Sequence, residues 1–332
     1  MEKIKKHNGM RPQGAVAVSK PTILACLLLL GVCSQAQTKT LEETEQEKAK
    51  LRELVKQEWA MVKQYSQQPE YRIQVVKDNC RVIVKVDDIP LGVNLARDGR
   101  QNVIFPLNDR LFYSGEHTVS VEIYPRTTES TISKRKWMTL DIILYPEKGS
   151  DRHGVIAQCR VPDDIGERNL PVYRDSVRFH FSLPFDHRQV LHTAKDLRTV
   201  PELENKVVAH YNKVRDMMIA GDYYGYNKMR LGNIWTSTEM YYLTEKELEA
   251  IYMEPSELFR FNCQVTDWKV DPIENYEMLI GHHGKVVYLR RKGTMDEVLQ
   301  ATYTGDDGET YISTLFLILY MPEGSDELLE LY

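Results

Sequence analysis

The chain has 332 residues, of which 42% are hydrophobic and 27% are charged, and its formal net charge is −5. This length suggests about two domains of roughly 150 residues each. The acidic balance argues against a general nucleic-acid binder, because such proteins usually carry a basic stripe. A mean hydropathy of −0.44 excludes a multi-pass membrane protein.

Residues 1–36 have the three-part pattern of a secretory signal peptide. Five basic residues precede the apolar run 23–33, which is shorter than the roughly 20 residues that a membrane-spanning helix needs. Small residues at the −3 and −1 positions suit cleavage before Gln37. We therefore expect a periplasmic or secreted protein with no transmembrane segment in the mature chain. A lipid anchor through Cys33 is the less favoured alternative, because the bulky Val32 precedes that cysteine.

Cleavage after residue 36 would remove five basic residues and one acidic residue, leaving 296 residues with a net charge of −9. Three cysteines would remain, so at least one thiol has no intramolecular partner. Cys80 and Cys159 lie in strand-like segments and form the candidate disulfide in an oxidising compartment. The alternative is that all three cysteines are reduced and buried as small hydrophobic residues.

Residues 37–69 are predicted to contain an N-terminal helix. Thr40 and Glu43 have the spacing of a capping box, and apolar side chains recur every three or four residues from Leu51 to Tyr65. Pro69 is predicted to end the helix. We expect its apolar stripe to pack on a neighbouring domain, with a partner-binding or oligomerising helix as the alternative.

Residues 70–190 are predicted to form an antiparallel β-sandwich domain. Apolar and polar residues alternate with a period of two, and the alternating segments end at Asp-Asp or proline turns with no helical period between them. The clearest predicted strands are residues 80–86, 117–124, 137–145 and 176–182.

Residues 191–332 are predicted to form a second domain, in which helices precede an antiparallel sheet, so that the whole chain belongs to the α+β class. The first helix is predicted to begin at the Thr199-Val-Pro-Glu202 cap and to end at Gly221, and Thr244 with Glu247 forms a capping box for a later helix. Residues 223–231 form the intervening helix. Predicted strands cover residues 261–270, 276–280, 286–290 and 311–320, with a hairpin turn at His282-His283-Gly284. This order is similar to that of NTF2-like folds, in which a curved sheet wraps around a helix.

Several scattered segments at predicted strand ends and turns form a recognisable set. These segments are Pro106-Leu-Asn-Asp109, Tyr113–Pro125, Asp271–Tyr276, Gly284-Lys285 and Pro322–Ser325. Together they resemble a group of mostly uncharacterised exported two-domain proteins of Gram-negative bacteria. The resemblance implies the two-domain architecture without assigning catalytic residues.

Tyrosine and tryptophan are concentrated between residues 211 and 252, and such side chains serve cores, ligand pockets and interfaces alike. Those at or beyond predicted helix ends are the candidate binding residues, although structural packing is the favoured interpretation of their role. If this domain encloses a pocket, His210 and Asp222 are the first acid–base candidates. The candidate binding residues are Tyr223, Tyr224, Trp235, Tyr241 and Tyr242.

The sequence predicts no cofactor, no metal and no catalytic residue. It contains no phosphate-binding glycine loop, paired CxxC, HExxH or GxSxG motif. The adjacent His282 and His283 favour a polar turn over a metal site, because neighbouring strand residues point to opposite faces.

These features favour an exported, non-catalytic binding protein that recognises another protein in the cell envelope, with a toxin inhibitor of the immunity type as one specific version. The negative charge argues against nucleic acid as a partner. The alternative is a small-ligand carrier, or a hydrolase or isomerase, that uses a pocket in the C-terminal domain.

Overall fold

The computed structural model describes residues 41–92, 94–231, 235–254, 257–260, 267–305 and 307–332. In these segments helices and antiparallel sheets combine into a mixed α+β fold, which confirms the predicted class. The predicted signal peptide, Cys33 and the Thr40 cap lie outside the described residues, as does Cys263. None of the described helices has both the length and the apolar character needed to cross a bilayer.

Helix α1 spans Leu41–Trp59, so the prediction that the helix continues to Pro69 was wrong. After two tight turns at residues 60–62, the backbone N–H of Lys63 donates to the carboxylate of Glu239, far away in the sequence, instead of continuing the helix. A tertiary hydrogen bond therefore replaces the local helical one. The proline several residues later does not end the helix.

Residues 70–190 form two four-stranded antiparallel sheets. The predicted strands are confirmed, and the structure adds partners that the sequence pattern did not single out. In spatial order the first sheet contains β4 (Gln101–Pro106), β1 (Glu70–Asp78), β6 (Trp137–Tyr145) and β7 (Gly154–Arg160). The second contains β3 (Ile89–Pro90), β2 (Arg81–Val86), β5 (Tyr113–Tyr124) and β8 (Tyr173–Asp186).

Both of these sheets contribute side chains to one apolar cluster. Ile73 and Leu140 of the first sheet are buried together with Val84 and Val121 of the second. Burial alternates strictly along β1, as expected for a strand with one face turned to the core.

Within the described residues, six helices follow, of which α3 is the longest. They are α2 (Gln189–His192), α3 (Leu203–Ala220), α4 (Tyr223–Arg230), α5 (Trp235–Met240), α6 (Glu245–Met253) and α7 (Glu257–Arg260). The capping box of Thr244 at the start of α6 is confirmed, and so is Gly221, which ends α3 in the left-handed conformation at φ +68°. The predicted cap at Thr199 was wrong, because Thr199 belongs to a separate short turn whose N-cap is Asp196.

Two further antiparallel sheets complete the C-terminal part. One contains β10 (Tyr276–Gly281), β11 (Val286–Arg291), β14 (Leu319–Tyr320) and β15 (Leu329–Glu330). The other contains β13 (Thr310–Leu315), β12 (Leu299–Thr304) and β9 (Lys269–Val270). The hairpin of β10 and β11 is confirmed. Of the strand predicted at 261–270, residues 267–270 are described, and among these only β9 is a strand.

The single strand predicted at 311–320 was wrong, because β13 and β14 belong to different sheets. Between them, the hydroxyl of Tyr211 on α3 donates to the carbonyl of Leu317 at 2.8 Å and accepts from the N–H of Leu289 at 3.0 Å. The buried hydroxyl of Tyr211 thus binds backbone groups that would otherwise pair with a neighbouring strand. The apolar face of α3 packs over both sheets, where its residues Val207 and Val214 lie in one cluster with residues of β11, β12 and β14.

The N-terminal and C-terminal parts meet in an apolar cluster. Phe112 and Phe185 pack there with Met240, Tyr242 and other residues of the C-terminal part. On the other side of the C-terminal part, Leu51 and Val55 of α1 pack against Leu248 and Tyr252 of α6. This confirms that the helix stripe packs on a neighbouring element.

Candidate functional site

A groove of about 670 Å³ lies where the two parts of the chain meet. Residues 61–65 form one side, the end of β8 and the residues after it form another, and Glu239 of α5 lies at its base. The lining residues that could act chemically are Lys63, Tyr65, Ser114, His187, Arg188 and Glu239.

Glu239 is the centre of the polar contacts in this groove. It is 4% exposed, and its carboxylate accepts from the N–H of Lys63 at 2.7 Å and from the hydroxyl of Tyr65 at 2.9 Å. The imidazole Nε2 of His187, a residue that is 7% exposed, lies 3.2 Å from the same carboxylate. Burial opposes ionisation of Glu239, but the hydrogen bonds from His187, Lys63 and Tyr65 outweigh it and lower its pKa.

Aromatic rings surround this carboxylate. The ring of Phe185 stacks on His187 at 5.3 Å, and Tyr65 contacts both Phe185 and Tyr242 edge-on. Burial and the neighbouring Glu239 carboxylate raise the pKa of Tyr65, so its hydroxyl stays protonated and acts as a donor. The arrangement holds the chain after α1 against α5 and orients His187.

Ser114 also lines the groove, but its hydroxyl is used by the surrounding sheet. It donates to the carbonyl of Phe181 at 3.1 Å and accepts from the N–H of Leu183 at 3.3 Å. An activated nucleophile requires a hydroxyl that is hydrogen-bonded to a base. These two contacts therefore assign Ser114 a structural role.

A second groove, of about 830 Å³, lies on the other side of Arg188. Its lining includes Asp87 and Asp88 from the turn after β2, and His282 and His283 from the turn after β10. The histidine pair lies in the turn between β10 and β11, as predicted, and its two rings are 5.9 Å apart. Among the described residues, no group of three or more His, Cys, Asp or Glu side chains is arranged to hold a metal ion.

The predicted aromatic residues lie in different places. Tyr223 and Tyr224 contact each other with ring centroids 5.9 Å apart, and Tyr223 is buried in the core around α3, where its hydroxyl donates to a backbone carbonyl. Tyr241 has its pKa raised by burial and by nearby Asp109. Tyr242 contacts Tyr65 and Phe185, which line the first groove. Trp235 begins α5, but its side chain lies outside the described part of the structure.

His210 and Asp222 are not brought together as an acid–base pair. The Nε2 atom of His210 lies 3.4 Å from the carboxylate of Glu330, and Asp222 caps α4 by accepting from the N–H of Gly225 at 3.0 Å. Each has a structural partner on a different element.

The candidate disulfide between Cys80 and Cys159 is not formed, and both are free thiols. Cys159 pairs with Leu140 in the sheet, whereas the sulfur of Cys80 lies 3.8 Å from the carbonyl of Trp137. Trp137 and Leu140 are three positions apart on β6, which corresponds to roughly 10 Å along the strand. This distance exceeds the reach of a disulfide between Cys80 and Cys159. Burial raises the pKa of the Cys80 thiol to about 11.

The groove residues Tyr65, His187 and Glu239 were not identified from the sequence. They lie in three segments without a motif, and in the sequence Tyr65 appeared to belong to a helical stripe. Comparison of the chain with protein-family models, with curated proteins and with solved structures found no match.

Proposed function

We propose that this chain is an exported, non-catalytic protein that recognises another protein in the cell envelope. The observation that carries the proposal is a set of three large apolar side chains that are exposed on the outer face of the first sheet. It consists of Ile104 on β4, Trp137 on β6 and Val155 on β7, which are 48%, 48% and 51% exposed. We call these three residues the outer patch.

The outer patch has the composition of a recognition surface. In the sheet register Ile104 lies opposite Gln74, and Trp137 lies opposite Asp78, so polar side chains separate the apolar ones. Aromatic residues such as Trp137 are enriched in protein interfaces relative to the rest of the surface. A protein partner is therefore favoured over a small molecule at this face.

The finer architecture is part of the same proposal. We infer that residues 70–190 form a β-sandwich domain, which the shared core of their two sheets supports, and that α3 with its sheets forms an NTF2-like domain. The signal-peptide pattern of residues 1–36 supports export to the periplasm or beyond, as in the exported two-domain proteins that the sequence resembles. Inhibition of a toxin, as by an immunity protein, is one specific version of this proposal.

The alternative is a ligand carrier or a hydrolase or isomerase that uses a pocket inside the C-terminal part. It is less favoured because the apolar face of α3 covers the sheets there and the buried hydroxyl of Tyr211 already has two backbone partners. The separation of His210 from Asp222 also removes the first acid–base candidate.

The test is affinity capture from envelope extract with the purified protein and a W137S/I104T variant. A matched control is I219S/I251S, which removes exposed apolar side chains from α3 and α6. We expect wild type and control to capture the same stoichiometric protein, and the outer-patch variant to lose it while keeping its circular dichroism spectrum. Equal capture by all three proteins, or recovery of a small molecule alone, would contradict the proposal.

A further inference from the structure

Two strained turns meet between the N-terminal and C-terminal parts. Asp87 and Asp88 in the first turn have φ values of +47° and +65°, and His282 and His283 in the second have +46° and +56°. Residues other than glycine rarely adopt positive φ, and such strain persists only where surrounding contacts impose it. The positive φ angles are unfavourable for these four residues, so contacts around the two turns must stabilise them in this conformation.

The two turns are joined by direct hydrogen bonds. The ring Nδ1 of His282 donates to the backbone carbonyl of Asp87 at 2.8 Å, and its backbone N–H donates to the carboxylate of Asp88 at 3.2 Å. The approach is so close that a Cβ atom on Gly281 would lie 2.5 Å from the carbonyl oxygen of Asp88. The conformation of the first turn therefore controls this contact.

The buried side chain of His117 contacts the first turn through the carboxylate of Asp87. His117 on β5 is 2% exposed, and its Nδ1 lies 2.6 Å from the carboxylate of Asp87 while its Nε2 lies 2.9 Å from the carbonyl of Tyr113. Both of these oxygen atoms are acceptors. A neutral imidazole has only one N–H donor, whereas the imidazolium has two. Only the protonated ring makes both hydrogen bonds with the ionised carboxylate.

The charged group in direct contact with His117 is the carboxylate of Asp87. Asp87, from the turn, also accepts from the N–H of Thr118 at 2.9 Å. Burial opposes ionisation of Asp87, but the hydrogen bonds from His117 and Thr118 outweigh it and lower its pKa. The strands on either side contribute the rings of Tyr113 and Phe181, at 4.5 and 5.7 Å. Cations also lie near the turn: Arg188 lies over Tyr113 and pairs with Asp186, and Lys85 pairs with Asp88 at 3.2 Å.

We propose that His117 is a proton-dependent latch between the two parts of the chain. With the ring protonated, Asp87 is fixed in the conformation that receives His282. When the ring loses a proton, one of its two hydrogen bonds is lost and the turn is released. The latch is therefore closed at lower pH and opens as pH rises. This inference does not depend on the proposed function.

The protonation state is measured by nitrogen NMR of histidine-labelled protein, with the His117 signal assigned by its loss in His117→Gln. The exposed His180 on β8 is the internal reference. We expect both ring nitrogens of His117 to carry a proton at a pH at which the amides of residues 281–285 are protected from exchange. A single ring N–H on His117 at that pH would overturn the proposal.

The opening is measured by amide hydrogen exchange at residues 86–89 and 281–285, corrected for the intrinsic pH dependence of exchange. We expect protection there to fall about tenfold as His117 loses its proton, the factor that corresponds to one buried hydrogen bond. His180→Gln is the control and should behave like wild type. Protection that does not change with pH in wild type would also overturn the proposal.

A second variant covers the case in which His117→Gln does not fold. Asp87→Asn keeps the shape of the side chain, and asparagine tolerates positive φ. Without the carboxylate the imidazolium loses its counter-ion, and the turns should open at a lower pH than in wild type. An unchanged opening in Asp87→Asn would show that the carboxylate–imidazolium pair does not control the contact.

Discussion

Replacement of Glu239 by glutamine tests whether the buried carboxylate holds the junction between α1, β8 and α5. The substitution keeps the size of the side chain but removes its charge. It also replaces one acceptor oxygen by an N–H₂ donor, whereas Lys63 and Tyr65 both donate to the carboxylate in wild type. At least one of these contacts must weaken or rearrange.

The expected loss follows from the contacts. Hydrogen bonds to a charged group contribute about 1.5–3 kcal/mol each and neutral ones about 1 kcal/mol, so converting two of them costs about 2 kcal/mol. The upper limit is about 3–5 kcal/mol, the usual cost of breaking a buried pair, if His187 is left charged without its carboxylate. Urea denaturation at neutral pH measures this loss as a lower free energy of unfolding.

Glu249→Gln is the matched control. Glu249 pairs with Arg52 at 2.8 Å between α6 and α1, but both side chains are more than 40% exposed, so the loss should be about 0.5 kcal/mol. If Glu239→Gln loses no more stability than Glu249→Gln, the carboxylate does not hold the junction and our reasoning about it is wrong.

The pH dependence gives a second readout of Glu239. Because its pKa is lowered in the folded protein, its contribution to stability is complete above the unfolded value of about 4.3 and disappears as pH falls through the folded value. The difference in stability between wild type and Glu239→Gln should therefore shrink in acid. A constant difference across this range would contradict a lowered pKa.

Substitutions at three further positions test the packing of the rest of the fold, each by chemical denaturation. Tyr211→Phe leaves the buried carbonyl of Leu317 and N–H of Leu289 without their partner, and should cost about 2–3 kcal/mol; a loss below about 0.5 kcal/mol would contradict this. Thr244→Ala removes the capping box of α6 and should cost about 1 kcal/mol, whereas Thr244→Ser should restore most of it. Leu51→Ala should cost about 2–4 kcal/mol and speed proteolysis within α1, and unchanged proteolysis would mean that α1 is not held by α6.

Local features were predicted well where the deciding interactions lie within a few residues. The alternation of residues 137–145 matches β6 at both ends, and the capping box at Thr244 forms as expected. The histidine pair lies in the hairpin turn between β10 and β11. In each case a period, a cap or a turn is encoded by neighbouring side chains, so no knowledge of the rest of the chain was needed.

The candidate site could not be predicted in the same way. The aromatic residues chosen from the sequence lie in several clusters, because their number on a segment does not say which face is covered. The groove takes Tyr65, His187 and Glu239 from segments as much as 174 positions apart. No motif connects such residues, since nothing in one segment constrains the others until the chain folds.

The composition by itself determined that the chain is acidic, and the local sequence pattern determined its mixture of helices and strands and most of the places where they form. Only the tertiary structure decided where α1 ends and how the region 311–320 divides between two sheets. In both places a buried side chain, Glu239 or Tyr211, forms hydrogen bonds with backbone groups that a regular element would otherwise use. The satisfaction of buried polar groups is a property of the whole fold, so it becomes visible only when distant segments are brought together.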